Sequence, residues 1–157
     1  MGPGGPAEDR GEAGPESRLG GRLGHRFRDR ALLRQALTHS SYANEHPPEP
    51  DNAGLAFLGD AVLALVVADH LWRAAPAGEV GALTADRADI VSGANLARLA
   101  ERIDLGDMLR LGRGELRSGG QGKESVLATA LEAVLAVVYL DGGLDAARGV
   151  VGRLVEW

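Results

Sequence analysis

The sequence predicts an all-α fold, and three observations carry that expectation. The two most apolar stretches, LAFLGDAVLALVVADHLW (residues 55–72) and SVLATALEAVLAVVYL (residues 125–140), are far longer than ordinary strands. Only two Phe, two Tyr and two Trp occur among 157 residues, so the core is built from Ala, Leu and Val, which suits close-packed helices. No segment reads convincingly as a strand, and there are no repeats.

Residues 1–17 are rich in Gly, Pro, Glu and Ala without an apolar period, and read as a disordered tail. The domain is expected over residues 18–157. Residues 19–23 give one or two helical turns, with Phe27 as an apolar anchor. Asp29 is placed to cap a helix over residues 31–38. SSYANEHPPEPDN (residues 40–52) reads as a loop because Pro47, Pro48 and Pro50 forbid regular helix. A long helix follows over residues 53–74, and PAGEVG breaks it. A second long helix is expected over residues 82–103, then a short turn over 104–111. GRGELRSGGQGK (residues 112–123) reads as a glycine-rich loop. Glu124 or Ser125 opens a third long helix that runs to Leu140, DGG (residues 141–143) stops it, and residues 144–156 form a last amphipathic helix.

With no cysteine, the chain has no disulfide, zinc-thiolate site or thiol nucleophile. No apolar run is convincing as a membrane span, and the first residues carry no hydrophobic signal region, so a cytoplasmic protein is the expectation. The net charge of −5 argues against a protein that coats nucleic acid over its whole surface. The charge is unevenly spread. Glu8, Asp9, Glu12 and Glu16 oppose only Arg10 in the tail, whereas Arg18, Arg22, Arg26, Arg28, Arg30 and Arg34 crowd one short segment. Such a cluster either holds phosphates or is a solvated helix face in an arginine-rich chain whose only lysine is Lys123.

Asp60 and Glu132 stand alone inside the two apolar stretches. Burying an unpaired carboxylate costs several kcal/mol or more, so each is expected to find a cation, a donor or a proton. Helical spacing puts Ala53 and Ala56 on the face of Asp60, and Ser125 and Thr129 on the face of Glu132. If the two faces meet, two carboxylates can hold Mg²⁺, though poorly, because such an ion favours several oxygen ligands. Hydrogen bonds from Ser125 or Thr129 to a structural Glu132 are the other reading.

The run ALTHSSYANEHPPEPDNAGLAFLGDAVL (residues 36–63) resembles the catalytic domain of the ribonuclease III family. Its signature reads roughly Asn-Glu-Arg-Leu-Glu-Phe-Leu-Gly-Asp-Ala, and here residues 52–61 read NAGLAFLGDA. SGGQGKESVLATALEAVLAVVYLDGG (residues 118–143) resembles the family's Gly-Gly, Glu-Ser, Ala-Asp-Ala-Leu-Glu-Ala and Leu-Asp-Gly-Gly pattern. The similarity runs from about Leu19 to the end of the chain. It implies a ribonuclease III-like domain of about seven helices that acts on double-stranded or structured RNA as a homodimer, with Mg²⁺ and without a nucleotide cofactor.

The resemblance places the family's metal-binding aspartate on Asp60 and its catalytic glutamate on Glu132. The second signature glutamate falls on Ala56, the aspartate before the catalytic glutamate on Thr129, the first glutamate on Ala53 and the arginine on Gly54. A one-residue slip restores nothing, since Glu49 and Asp51 precede the helix. The expected consequence is weak or absent Mg²⁺ binding and impaired hydrolysis. Phe57, Leu58 and Gly59 match the family's two-fold dimer contact, and Gly59 is expected at a close helix approach. Arg22, Arg26, Arg113, Arg117 and Lys123 are candidate RNA contacts. No double-stranded-RNA-binding domain is expected beyond Trp157, which would lower RNA affinity.

His39, with Thr38, Ser40 and Ser41 around it, reads as a capping residue. The loop at residues 112–123 lacks phosphate-loop spacing and is no nucleotide site. Three functions follow from the sequence: a metal-dependent endoribonuclease, a degraded relative that docks structured RNA or a ribosomal particle, or a dimerising partner of an intact relative.

Overall fold

A computed structural model describes residues 13–157. Among them are eight α-helices and no strand, only an isolated bridge between Thr38 and Arg110. The helices are α1 (Pro15–Leu23), α2 (Arg30–Ala36), α3 (Ser40–Glu45), α4 (Ala53–Ala74), α5 (Val80–Ile90), α6 (Gly93–Arg102), α7 (Arg113–Arg117) and α8 (Glu124–Leu154). Short 3-10 turns lie at Leu105–Met108 and Gly120–Gly122.

The core forms around α8, whose side chains from Val126 to Val138 are buried except for the partly exposed Thr129 and Glu132. Helix α4 packs along it through Leu55, Val62, Leu63, Val66 and Val67, and α6 through Leu96 and Leu99. By length and composition, α4 and α8 are each apolar enough to cross a membrane; here they pack against each other. Asp29 caps α2 as expected, accepting from the Leu32 N–H at 3.0 Å. Within α8, Gly143 takes φ +74°, so the expected stop at DGG is a break between two helical halves.

Five local expectations need correction. Residues 15–17 belong to α1, with Pro15 in its first turn where a missing N–H costs nothing; residues 1–12 of the expected tail lie outside the described residues. Helix α3 occupies part of the expected loop: His39 Nδ1 accepts from the Ser41 N–H at 3.2 Å, and the prolines act only on the chain after Glu45. Helix α2 ends at Ala36, and buried Thr38 turns to pair with Arg110. The single helix expected over residues 82–103 is two. Ser92 leaves helical geometry, its Oγ accepts from the Asn95 N–H at 3.2 Å, and Asn95 Nδ2 returns a bond to the Ile90 carbonyl at 2.8 Å. Helix α7 lies within the expected glycine-rich loop.

Candidate functional site

Asp60 and Glu132 are brought together by the closest crossing of α4 and α8. A Cβ built on Gly59 would overlap the main-chain carbonyl of Glu132, so only glycine permits this approach. The neighbouring Asp60 carboxylate then bears on Glu132. The Glu132 carboxyl is pushed up to about 7, first by burial and second by the negative charge of Asp60. No bond from Ser125 or Thr129 offsets these effects, so the hydrogen-bonded reading of Glu132 is not realised. Asp60 is exposed rather than buried, because the face of α4 that carries it is not covered by the chain.

Around the pair, Ala56 is buried, Ala53 is exposed and Thr129 is partly buried. Among the described residues, no three His, Asp or Glu side chains converge as a metal-binding group. The two acids before α4 are committed elsewhere. Asp51 Oδ1 accepts from the Ala53 N–H at 3.0 Å. Glu49 receives both Arg110 Nη atoms at 3.0 and 3.1 Å and Arg34 Nη2 at 3.0 Å; these bonds hold its carboxyl down at about 2. Arg110 also donates to Thr38 Oγ1 at 2.9 Å and lies 4.2 Å from the Tyr42 ring centre. This knot fixes the segment leading into α4. Sequence reasoning missed it, since no spacing rule links Arg110 to residues more than sixty positions away.

Of the three interface candidates, only Phe57 is open, at 83 % exposure. Gly59 is buried on α8 of its own chain, and Leu58 packs partly against the core and is partly exposed. Phe57 instead begins an uncovered apolar stripe that continues along α4 through Ala61, Leu65 and Trp72.

The five candidate RNA contacts fall into two groups. Arg113 and Arg117 are exposed on α7, close to Lys123 at the start of α8; Lys123 Nζ is engaged with Glu115 at 2.8 Å and Ser118 at 3.0 Å. Arg22 pairs with Asp104, whereas Arg26 lies on the rim of an open groove beside Gly142. Taking ~1.5 Å per helical residue, Lys123 and Gly142 lie roughly 14 and 15 Å to either side of Glu132 along α8. These are separations along the helix axis only: nine residues is about two and a half turns, so Lys123 and Glu132 start from opposite sides of α8.

Residues 29–156 match the family model described as Ribonuclease-III-like. The chain is 49 % identical over 131 residues to Ribonuclease 3 of Caldanaerobacter subterraneus subsp. tengcongensis, covering 83 % of this chain and 58 % of that protein. It is 48 % identical over 145 residues to Ribonuclease 3 of Streptomyces coelicolor, covering 92 % and 52 %. The chain thus spans little more than half the length of these curated relatives. Its fold matches the nuclease domain of ribonuclease III from Campylobacter jejuni with a TM-score of 0.83 and 36 % identity, over 88 % of this chain and 94 % of that one. Sequence and fold agree: the chain belongs to the ribonuclease-III-like family.

Proposed function

We propose that this chain docks double-stranded or structured RNA as a homodimer and is impaired in the metal-dependent phosphodiester hydrolysis that its family resemblance implies. The observation that carries this reading is the residue set at the α4–α8 crossing. Asp60 and Glu132 remain, but Ala56 and Thr129 stand where the resemblance calls for anionic ligands. Two carboxylates and one hydroxyl leave a Mg²⁺ dependent on waters and RNA phosphates for the rest of its octahedral shell, so it is held less firmly than by the acids that the resemblance calls for. Asp60 and Glu132 are then acids left on an RNA-docking surface for which Arg113, Arg117, Lys123, Arg22 and Arg26 are the candidate cations.

The apolar stripe that starts at Phe57 supports pairing with a second copy, since an uncovered Phe and Trp on one helix mark a contact surface. The Campylobacter jejuni nuclease domain is itself described as having structural flexibility in a region involved in dimer formation.

The test is cleavage of a long duplex RNA by the purified protein with Mg²⁺ or Mn²⁺, alongside duplex binding in EDTA. Binding with little or no cleavage supports the proposal. Brisk cleavage that Asp60→Asn abolishes overturns it in favour of an active enzyme with a reduced ligand set.

A further inference from the structure

The groove beside Gly142 has a volume of about 1150 Å³ and lies at the junction of α1, the segment before α2 and the break in α8. Three arginines, Arg26, Arg28 and Arg30, line it. Between Gly24 and Asp29 the chain is non-helical, and its side chains alternate: His25 and Phe27 turn inward, while Arg26 and Arg28 are exposed.

The segment is held in place rather than loosely draped. Asp141 Oδ2 accepts from the Arg28 N–H at 3.0 Å and lies 3.1 Å from His25 Nε2. The Asp141 side chain is only 5 % exposed, so the nearest acid on α8 is turned inward and committed. Gly24 takes the left-handed conformation with the Arg153 guanidinium against it. Among the described residues, Glu16 is the one acid on the rim, and it reaches Arg30 only at 3.7 Å. Of the glycines that line the groove, Gly21 has open space where a side chain would stand, whereas Gly20 lies against the His25 carbonyl and Gly142 against Ala146.

We propose that this groove is a second docking site for the phosphodiester backbone of structured RNA, gripped by Arg26 and Arg28 with Arg30 alongside. The proposal rests on the RNA-docking reading above and extends the contact surface beyond the acid pair. The guanidinium fork suits phosphate oxygens better than an ammonium, so these contacts depend on arginine geometry as well as charge.

The experiment is fluorescence anisotropy of a labelled duplex RNA titrated with the full chain over a salt series. The variants are Arg26→Ala/Arg28→Ala and Arg26→Lys/Arg28→Lys, with Arg73→Ala/Arg98→Ala as an equal loss of charge elsewhere. Circular dichroism checks that each is folded. The expected result is at least a ~10-fold loss of affinity in the alanine pair. The salt slope should shrink by roughly 1.4–1.8, since each of the two phosphate contacts contributes roughly 0.7–0.9 to it. The lysine pair should recover part of the loss and the Arg73/Arg98 pair should lose less.

If the wild type binds no duplex, the RNA reading and the groove fall together. Wild-type binding that the alanine pair leaves unchanged overturns the groove alone. Inorganic phosphate that competes as well as duplex RNA at equal phosphate concentration reassigns the groove to a small anion and overturns the proposal.

Discussion

Gly59 on α4 lies directly against the backbone carbonyl of Glu132 on α8, so the contact that sets the interhelical distance also places the two acids. Gly59→Ala forces a Cβ onto that carbonyl. A loss of about 1–3 kcal/mol is expected, the usual cost of overpacking. Urea denaturation measures it, and a variant as stable as the wild type contradicts the close approach.

Glu132 provides a pH test. Its folded carboxyl sits at about 7 against an ordinary value of 4.5. The fold therefore binds this proton more tightly than the unfolded chain does. The resulting stability is fully present below pH 4.5 and is lost as the pH rises to 7. Glu132→Gln should thus stabilise the protein at pH 8, by on the order of 1 kcal/mol after solvent screening, and change little at pH 4. Asp60→Asn should lower the Glu132 midpoint, followed by carboxyl NMR.

Glu49 acts in the opposite sense. Its carboxyl is held at about 2, so the stability it contributes is present above pH 4.5 and disappears as the pH falls toward 2. Glu49→Gln should remove this part of the acid-side slope in denaturation curves. Arg110→Ala should do the same and free the Tyr42 ring as well.

Restoring the missing acids tests the reading of the metal site. Loss of an outer-shell partner alone changes metal affinity by roughly 10–100-fold, so Ala56→Glu with Thr129→Asp should tighten Mg²⁺ or Mn²⁺ binding by at least that factor. Calorimetry should find the pair non-additive, because both new carboxylates serve one ion cluster. No gain in affinity would mean that the geometry, and not only the charge, has been lost.

Phe57→Asp places a charge at the head of the uncovered α4 stripe. Sedimentation velocity at tens of micromolar should find a dimer for the wild type and a monomer for the variant, with helical content unchanged. A wild-type monomer would remove the pairing argument.

The long helices, the Asp29 cap, the break at Gly143 and the close approach at Gly59 were legible because each has a local chemical signature. The Ser92 break was not, since a capping serine inside an amphipathic run looks like one more polar position. Asp60 was misplaced for a related reason. Its position inside an apolar run implied burial, but α4 is apolar on its free face too, with Phe57, Leu65 and Trp72 exposed. Apolar periodicity cannot separate a face that meets the core from one left open. The knot around Arg110 depends on contacts remote in sequence, and no single-chain pattern encodes them.

Helix α5 contains no buried residue, whereas most of α8 between Val126 and Val138 is sealed. The domain should therefore release its amide hydrogens to deuterium at very different rates. Opening α5 exposes almost no apolar surface, so its amides should exchange through small local fluctuations, while those of α8 wait for global unfolding. A second copy seated on the Phe57 stripe, which runs on to Trp72 beside Val80 and Leu83 of α5, would slow only the first class. Its protection would then rise with protein concentration, while that of α8 would follow the far larger global free energy.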